Sequence, residues 1–442
     1  MLHIGAQKPQ NQYLTMPPAT LPLVLFGATY LLLAIGRIPG LALDRTGFAV
    51  LGALAFLATG GISLEEAKAA VDAPTLTLLF SMMLLSAQYQ MSGLYGVIGQ
   101  RLARVHQPRR LLAGVLVVSA LLAAVLTNDV VCFALTPLVC AALLATRLDP
   151  LPYLLALACG TNIGSALTPI GNPQNILISQ QLGLAFLPFV LACALPVVAA
   201  LAFTYWFLAR SVAGSARRGD TGAGEVRGVH RIERPIARKE AEILPAPALD
   251  RREAAKAIVL TAAAIALFLT PVPAYLTGCA IAGIVLTSRR MHSRTMLGLV
   301  DWQMLALFVA LFIVTRGLEL SGWTEAGQRA LSEAGLPLAE VGVLVPVVAL
   351  LGNLVGNVPA VMLLLRFVPA EPALPVVGYA LALASTFAGN ALLIGSVANL
   401  IVVEQADRCG IRIGFRDHLR VGLPVTLVSL AAAIAMLVWL SR

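Results

Sequence analysis

Long apolar runs alternate with short polar connections along almost the whole chain. In the first half we predict transmembrane or hairpin helices at 21–36, 46–61, 74–96, 111–126, 130–146, 151–180 and 185–210. In the second half we predict them at 255–270, 272–288, 301–318, 341–355, 358–368, 374–404 and 416–440. Apolar runs of this length are typical of helices that cross a bilayer. The pattern therefore predicts an all-α polytopic membrane protein.

Composition supports this class. Of the 442 residues, 59% are hydrophobic and only 12% are charged, and the mean hydropathy is +0.86. Soluble proteins carry about twice that share of charge. We expect the lipid bilayer as a partner and a multi-pass location in a plasma membrane, the inner membrane of a bacterium. The net charge of +9 does not call for nucleic acid, because Lys and Arg gather on the cytoplasmic side of membrane proteins.

The charges of the connections orient the helices. The basic connections, which we assign to the cytoplasm, are 101–110, 211–253, 288–294 and 407–420. With this assignment the spans alternate only if 111–146 and 341–368 each return to the side from which they entered. These two segments are therefore predicted to be re-entrant hairpins. Each half then has five spans and one hairpin, and the second half is inserted upside down.

The organisation that follows is two inverted repeats, a common plan of secondary transporters. We predict a tail at 1–20, a first repeat at 21–210, a cytoplasmic basic linker at 211–253 and a second repeat at 254–442. The motif Ile-Gly-x-x-x-Asn supports the repeat, because it occurs at 170–175 behind the first hairpin and at 394–399 behind the second.

Helix breakers lie inside an apolar run. In "GTNIGSALTPIGNPQNILIS" (160–179) the prolines and glycines end a helix partway through a predicted span. Unpaired backbone groups cost several kcal/mol in hydrocarbon, so such breaks line protein-buried or watery sites. The carbonyl side of a break suits a cation and the N–H side suits an anion. Close helix packing by small residues is the alternative. It is disfavoured because four irregular segments occupy corresponding places in the two halves.

Four segments resemble the ion transporter superfamily: "NDVVCFALTPLV", "GTNIGSALTPIGNPQN", "GNVPAVMLL" and "STFAGNALLIGSVANLIVVE". This group includes citrate-type anion permeases, arsenite/antimonite exporters and sodium/proton antiporters, and the likeness is strongest to the arsenite-exporter-like branch. The resemblance implies that each hairpin tip and the neighbouring broken helix hold one sodium ion, with the substrate between the tips. It also implies a homodimer, which is common in characterised relatives.

The implied residues form two clusters. The first contains Thr127, Asn128 and Asp129 with Gly171 and Asn172, and the second contains Gly356, Asn357, Val358 and Pro359 with Gly395 and Ser396. Sodium is expected at Asn128, Asp129 and Gly171 and again at Asn357 and Gly395. Further candidates in the broken helices are Asn162, Pro173, Asn175, Asn390 and Asn399. Dicarboxylate carriers have Ser-Asn-Thr at both tips, whereas this chain has Thr-Asn-Asp and Asn-Val-Pro. Substrate and coupling ion therefore stay open.

Asp129 is a carboxylate inside an apolar segment, which is costly and usually functional. It could hold a cation or carry a proton, and the alternative is a helix N-cap. Cys132 and Cys140 could bind trivalent arsenic, although apolar packing is the favoured role. His418 is assigned to the basic connection at 407–420, so no histidine proton relay is expected.

The function predicted is secondary active transport of a small anion or oxyanion, coupled to sodium or protons by alternating access. No cofactor other than this coupling ion is expected. The alternatives are an arsenite/antimonite exporter, a sodium/proton antiporter and an anion channel. An enzyme is not expected, because the sequence has no H-E-x-x-H, no G-x-S-x-G and no G-x-x-x-x-G-K-[ST] motif.

The charge pattern makes a topology prediction. Both termini should lie outside and the 211–253 linker inside, because the basic connections are assigned to the cytoplasm. Single cysteines placed in the linker and at the C-terminus, in a background without reactive native thiols, should label only at the C-terminus when intact cells meet an impermeant thiol reagent. Labelling of the linker from outside would overturn the orientation.

Overall fold

A computed structural model describes residues 20–146, 148–218, 248–367 and 374–441. All regular secondary structure in these residues is helical, as the apolar pattern predicts. The helices of the first half are α1 (Thr20–Ile35), α2 (Arg45–Ala58), α3 (Leu64–Ala70), α4 (Ala73–Met91), α5 (Leu94–Ala103), α6 (Pro108–Val125), α7 (Asn128–Thr146), α8 (Leu151–Ser165), α9 (Pro173–Gln181) and α10 (Phe186–Arg218).

The described residues of the second half form the same number of α-helices as those of the first. They are α11 (Arg251–Phe268), α12 (Ala274–Leu286), α13 (Ser293–Gly298), α14 (Trp302–Leu320), α15 (Trp323–Glu333), α16 (Val341–Val355), α17 (Asn357–Leu364), α18 (Leu374–Ala388), α19 (Val397–Arg408) and α20 (Phe415–Leu440), with one 3₁₀ turn at Leu393–Gly395. Most of the predicted tail and linker lies outside the described residues.

Several helices have the length of a membrane span. By length and composition, four described helices could cross a bilayer: Pro108–Val125, Phe186–Val212, Trp302–Leu320 and Phe415–Leu440. Helices α3 and α4 pass the same test together, although the chain bends by 53° between them. The other apolar helices are shorter, partly because breaks divide the predicted spans 151–180 and 374–404. The number of complete crossings therefore stays a prediction.

Helix α10 shows how the surface suits lipid. Leu187, Leu191, Leu195 and Val198 are each more than half exposed and follow one another at intervals of about one helical turn. They form a continuous apolar stripe on the outside of the protein. Such a stripe is unfavourable in water and favourable against acyl chains. The stripe agrees with the multi-pass membrane class predicted from the sequence.

Short helices occupy several connections that the apolar pattern left unassigned. Helix α3 lies in the acidic connection 63–72 and begins with a capping box, in which the Glu66 N–H donates to Ser63 Oγ (3.2 Å) and the Ser63 N–H donates to Glu66 Oε2 (2.8 Å). The Ser-x-x-Glu pattern was the available signal for this helix. Helices α13 and α15 fill other connections. Helix α5 begins at Leu94, so the predicted span 74–96 ends early, where Gly93 takes a left-handed conformation.

Helices α4 and α14 correspond closely. Each has 19 residues, and each is capped by an aspartate whose side chain accepts a backbone hydrogen bond: Asp72 from Thr75 N (3.0 Å) and Asp301 from Met304 N (2.9 Å). Each is also followed by a glycine in the left-handed region, Gly93 and Gly322. This matched pair supports the predicted repeat.

The two halves are interleaved rather than side by side. Helix α2 packs against α14, and helix α4 packs against α12. In the register that pairs α4 with α14, helix α12 corresponds to α2, so these two contacts are reciprocal. A twofold relation between halves produces contacts of this kind. Whether the halves are inverted relative to a membrane stays a prediction.

Both predicted hairpin segments contain a pair of helices, and both predicted broken helices are broken. Helix α6 is long enough to cross a bilayer, so the re-entrant course of the hairpins stays a prediction. Helices α6 and α7 meet at 126–127, and α16 and α17 meet at Gly356. Between α8 and α9 the chain is non-helical from 166 to 172, and Pro173 opens the new helix at a position where its missing N–H has no cost. The second break runs from 389 to 396 and includes the 3₁₀ turn.

Candidate functional site

Four helices begin at one cavity. Helices α7 and α17 start at the two hairpin tips, and helices α9 and α19 start just after the two breaks. The cavity between them has a volume of about 90 Å³. That is room for several water molecules or a small solute group, since one water needs roughly 10–15 Å³ on this measure. The predicted residues that line it are Asn128, Asp129, Pro173, Gly356, Asn357, Val358, Pro359, Gly395 and Ser396.

The last asparagine of each Ile-Gly-x-x-x-Asn motif stabilises its break. Asn175 Nδ2 donates to the carbonyls ten and seven residues before it, at 3.2 and 3.0 Å. Asn399 Nδ2 donates to the carbonyls at the same two offsets, at 2.8 and 3.2 Å. A helix end leaves carbonyl groups without partners, and these amides replace the missing N–H donors. The motif is therefore a device for ending a helix inside the protein.

Asn162 joins the two halves at the centre of the site. Its Oδ1 accepts from Asn128 Nδ2 (3.2 Å) and from Ser396 Oγ (3.1 Å). Its Nδ2 donates to the Oδ1 atoms of Asn390 (2.9 Å) and Asn399 (3.1 Å). The side chain is 2% exposed, so it has no water to compensate for a lost partner. One amide thus connects the first hairpin tip to the second broken helix.

A second cross-half bond mirrors one of these. Asn172 Nδ2 donates to Thr386 Oγ1 at 3.1 Å. In the register set by the two Ile-Gly-x-x-x-Asn motifs, Ser396 corresponds to Asn172. Thr386 corresponds to Asn162 in the same register. The bonds Asn172–Thr386 and Ser396–Asn162 are therefore reciprocal, as a twofold relation between the broken helices requires.

The motif glycines leave no room for a side chain. A Cβ on Gly171 would collide with the carbonyl of Ser165, and a Cβ on Gly395 would lie 2.5 Å from Asn353 Oδ1. At the second hairpin tip, Gly356 has a φ of 100°, which L side chains rarely adopt. Glycine at these places lets the hairpin tips approach the breaks.

Three buried amide oxygens at the tips have no hydrogen-bond donor among the described residues. They belong to Asn128 at the first tip and to Asn353 and Asn357 at the second. A buried acceptor without a partner costs about 1–3 kcal/mol. Oxygen ligands of this kind suit a hard cation. The donor set at each tip therefore fits the sodium ion expected from the sequence.

Asp129 lines the cavity from the first turn of α7. The helix begins at Asn128, so Asp129 is not its N-cap, and within the described chain its carboxylate accepts no hydrogen bond. The capping interpretation of Asp129 is therefore wrong. A carboxylate that faces a cavity inside an apolar protein can bind a cation or a proton there.

The remaining predicted residues support the cavity from behind. Thr127 Oγ1 lies 3.5 Å from Ser86 Oγ and faces α4, not the cavity. The others behind the lining are Asn162, Gly171, Asn172, Asn175, Asn390 and Asn399. Their side chains or backbone fix the two breaks that carry the lining residues.

Sequence reasoning missed several residues of the site. Arg45 and Gln174 line the cavity, and Thr386 bonds across the halves. Tyr30 OH donates to Pro359 O at 3.0 Å and so holds the second tip. The Gly-Asn-Leu-Val-Gly-Asn run at 352–357 was an available signal for Asn353. For Arg45 the sequence offered no signal beyond a charge at the start of a predicted span.

The assignment of His418 to a basic connection is wrong. Helix α20 begins at Phe415, and His418 lies in its first turn with only 1% of its surface exposed. Its Nε2 lies 2.9 Å from the carbonyl of Asn390, which requires a proton on that nitrogen. Positive charge around the segment concealed this inward-facing residue. His418 thus supports the second break.

Neither predicted thiol candidate reaches the cavity. Cys132 Sγ lies 3.1 Å from Thr161 Oγ1, and Cys140 is fully buried on the same helix. Neither residue lines the space at the four helix starts. Their positions agree with the packing role favoured from the sequence.

Two broken helices and two hairpins meeting at a polar cavity define a membrane transporter with its site in the middle of the protein. The family model described as citrate transporter matches residues 30–376. The chain therefore belongs to the citrate transporter family, a membrane transporter family within the ion transporter superfamily, and is not an enzyme.

Relatives agree with this assignment. The silicon efflux transporter LSI3 of Oryza sativa subsp. japonica is 29% identical over 96% of this chain and 98% of its own length. The inner membrane protein YbiR of Escherichia coli is 33% identical over 79% of this chain and 84% of its own. The MtrF efflux pump of Neisseria gonorrhoeae has the same fold at 15% identity, with a TM-score of 0.58 over 96% of this chain and 95% of its own.

Loss of the Asn162 amide should destabilise the protein. Asn162→Ala leaves several buried polar groups from both halves without a hydrogen-bond partner. Each unsatisfied group lowers the free energy of unfolding by about 1–3 kcal/mol. Thermal unfolding of the purified variant in detergent should show a clear fall in melting temperature. Thr204→Val is the matched control, because in the described part of the chain the buried Thr204 hydroxyl bonds only to Ala200 O of its own helix. Equal melting temperatures for the two variants would remove the central role of Asn162.

Proposed function

We propose that the protein is a secondary active transporter of a small anion or oxyanion, driven by a sodium or proton gradient through alternating access. The observation that carries this proposal is the convergence of four helix N-termini, those of α7, α9, α17 and α19, on one cavity. Each N-terminus carries about half a positive charge. The first N–H groups of α7, α17 and α19 also have no partner within their own helix, whereas at α9 Pro173 has no N–H and the Asn175 N–H donates to Asn172 Oδ1. Together the four N-termini favour a negatively charged solute between the tips.

The coupling cation has its own ligands in this proposal. Sodium binds at Asn128, Asp129 and Gly171 on one side and at Asn357 and Gly395 on the other. The buried amide oxygens without donors support these two sites, with backbone carbonyls of the breaks as further ligands. A proton on Asp129 is the second candidate for the coupling ion, because this carboxylate faces the cavity.

The cavity is proposed to be open to the cytoplasm in this conformation. Arg45 and Met304 line it and lie in the first turns of α2 and α14. Both helix starts are predicted on the cytoplasmic side. Alternating access then requires a second conformation in which the cavity meets the outside.

The alternatives carry less support. Export of arsenite or antimonite through thiol ligands is disfavoured, because Cys132 and Cys140 do not line the cavity. Silicon efflux by the rice relative keeps a weakly acidic hydroxylated solute as the second candidate substrate. A sodium/proton antiporter would need the coupling sites alone, and an anion channel would need a continuous pore. Gradient-driven, saturable flux separates a carrier from such a pore.

Location and assembly are also proposals. The Escherichia coli relative is named an inner membrane protein, which supports a bacterial plasma membrane. The exposed apolar face of α10 supports contact with lipid. A homodimer is proposed from the superfamily resemblance, and crosslinking in intact membranes tests it.

The two tip asparagines should be needed for transport. Asn128→Ala and Asn357→Ala each remove a ligand amide, which lowers affinity about five- to more than a hundredfold if 1–3 kcal/mol is lost. Asn357→Ala should cost less folding stability, because Asn128 also donates to Asn162. Uptake into proteoliposomes, with sodium titrated, measures both variants. Wild-type kinetics in both would disprove the two-tip site.

Asp129→Asn should abolish gradient-driven accumulation. The variant keeps the size of the side chain but removes its charge and its titratable proton, while exchange of solute across the membrane can persist. Accumulation by reconstituted protein under imposed sodium and proton gradients is the measurement. Asp72→Asn is the matched control, since Asp72 caps α4 and Asn caps about equally well. Equal accumulation by wild type and Asp129→Asn under both gradients would contradict coupling through Asp129.

A further inference from the structure

Arg45 is the cation of the central cavity. It is the first residue of α2, and Asp44 before it caps that helix by accepting from Gly47 N at 2.9 Å. The guanidinium reaches the second hairpin tip, where a Cβ on Gly356 would lie 3.5 Å from Arg45 Nη1. Among the described residues, Arg45 and Asp129 are the two charged residues that line the cavity.

Within the described ranges, Arg45 has neither an ion pair nor a hydrogen bond from its side chain. The half-buried Arg366 provides a contrast, because its Nη1 lies 3.2 Å from Glu319 Oε2. A partly buried charge without a partner is unfavourable unless a ligand or water compensates for it. Since Arg45 faces the cavity, the compensating group can be a bound solute.

The two halves have different residues at the position that Arg45 occupies in the first half. Helix α12 corresponds to α2 and begins at Ala274, so the second half has no cation at this place. Asp129 in turn corresponds to Val358 at the other tip. The cavity is therefore charged from the first half alone. The helices around the cavity are arranged symmetrically, but its charges come from one half. Such a site favours one orientation of an asymmetric solute.

The chemistry of the side chain indicates which solute group it binds. A guanidinium presents parallel N–H donors in a plane and matches two oxygens of one carboxylate or phosphate-like group. We propose that Arg45 recognises the transported solute by donating paired hydrogen bonds to two oxygens of one carboxylate or oxyanion group. This inference rests on the proposed transport of an anion and identifies the residue that selects for its charge.

The test compares charged and neutral probes on the purified full-length protein. Citrate and inorganic phosphate are the oxyanion probes, and silicic acid is the probe that is largely uncharged at neutral pH. A ligand that binds the native state raises its melting temperature, so a titration gives the affinity of each probe. The variants are Arg45→Gln, Arg45→Lys and the control Arg37→Gln. Arg37 is exposed in the connection between α1 and α2 and is not among the lining residues. Arg37→Gln therefore removes one positive charge from the protein without removing it from the cavity.

At least one oxyanion should stabilise the wild type and Arg37→Gln equally. Its affinity should fall about tenfold or more in Arg45→Gln, because a charge-assisted bond is lost. The affinity should fall less in Arg45→Lys, which keeps the positive charge but lacks the two parallel N–H donors of the guanidinium. Melting temperatures without ligand show whether each variant is folded. If Arg45→Gln fails to fold, Arg45→Lys still tests whether the paired N–H donors of the guanidinium are needed.

Several results would overturn the role of Arg45. These are equal oxyanion affinity in wild type and Arg45→Gln, an equal loss in Arg37→Gln, stabilisation by silicic acid alone, or no stabilisation by either oxyanion at millimolar concentration. Failure of the carrier function has a different signature. Gradient-driven flux unaffected by Arg45→Gln removes the role of Arg45 and leaves the carrier. Arg45-dependent binding without gradient-driven flux removes the carrier and leaves the binding role.

Discussion

Backbone groups without partners are the constraint on which this structure depends. Two helices end inside the protein, and each ending leaves carbonyl groups that water does not reach. Asn175 and Asn399 satisfy those carbonyls with amide donors at identical offsets along the chain. The same endings are followed by two new helices, α9 and α19, which begin at the cavity. Breaking a buried helix is costly, but it places polar groups at the cavity, where a solute can bind them.

The second consequence concerns how the halves move. Asn162 binds groups from the first hairpin and the second broken helix, so these parts can only separate by breaking buried hydrogen bonds. The reciprocal bond between Asn172 and Thr386 adds to this connection. These bonds join both breaks around the cavity, so we expect the two breaks to move together.

The sequence predicted the helices, the hairpin pairs and the breaks because each has a local chemical signal. Apolar length marks the long helices, and Pro173 and Gly171 mark a break. Residues that matter only through distant partners had no such signal. Thr386 is an ordinary hydroxyl inside an apolar helix until Asn172 meets it. Arg45 was only a charge at the start of a predicted span, and His418 lay in a basic connection. The charge of a segment indicates on which side of the membrane it lies, but not which way one side chain points.

The symmetric arrangement of the helices around the cavity and the asymmetric placement of charge in it have separate physical origins. Ending two helices in corresponding ways uses glycine and asparagine in both halves, and the chain has them at 170–175 and 394–399. Charge inside the protein is costly, so each added charge requires its own compensation. Two opposite charges, Arg45 and Asp129, face one cavity without forming an ion pair in the described chain. An anion beside Arg45 and a cation beside Asp129 would compensate both, which gives a physical reason for the two to move together.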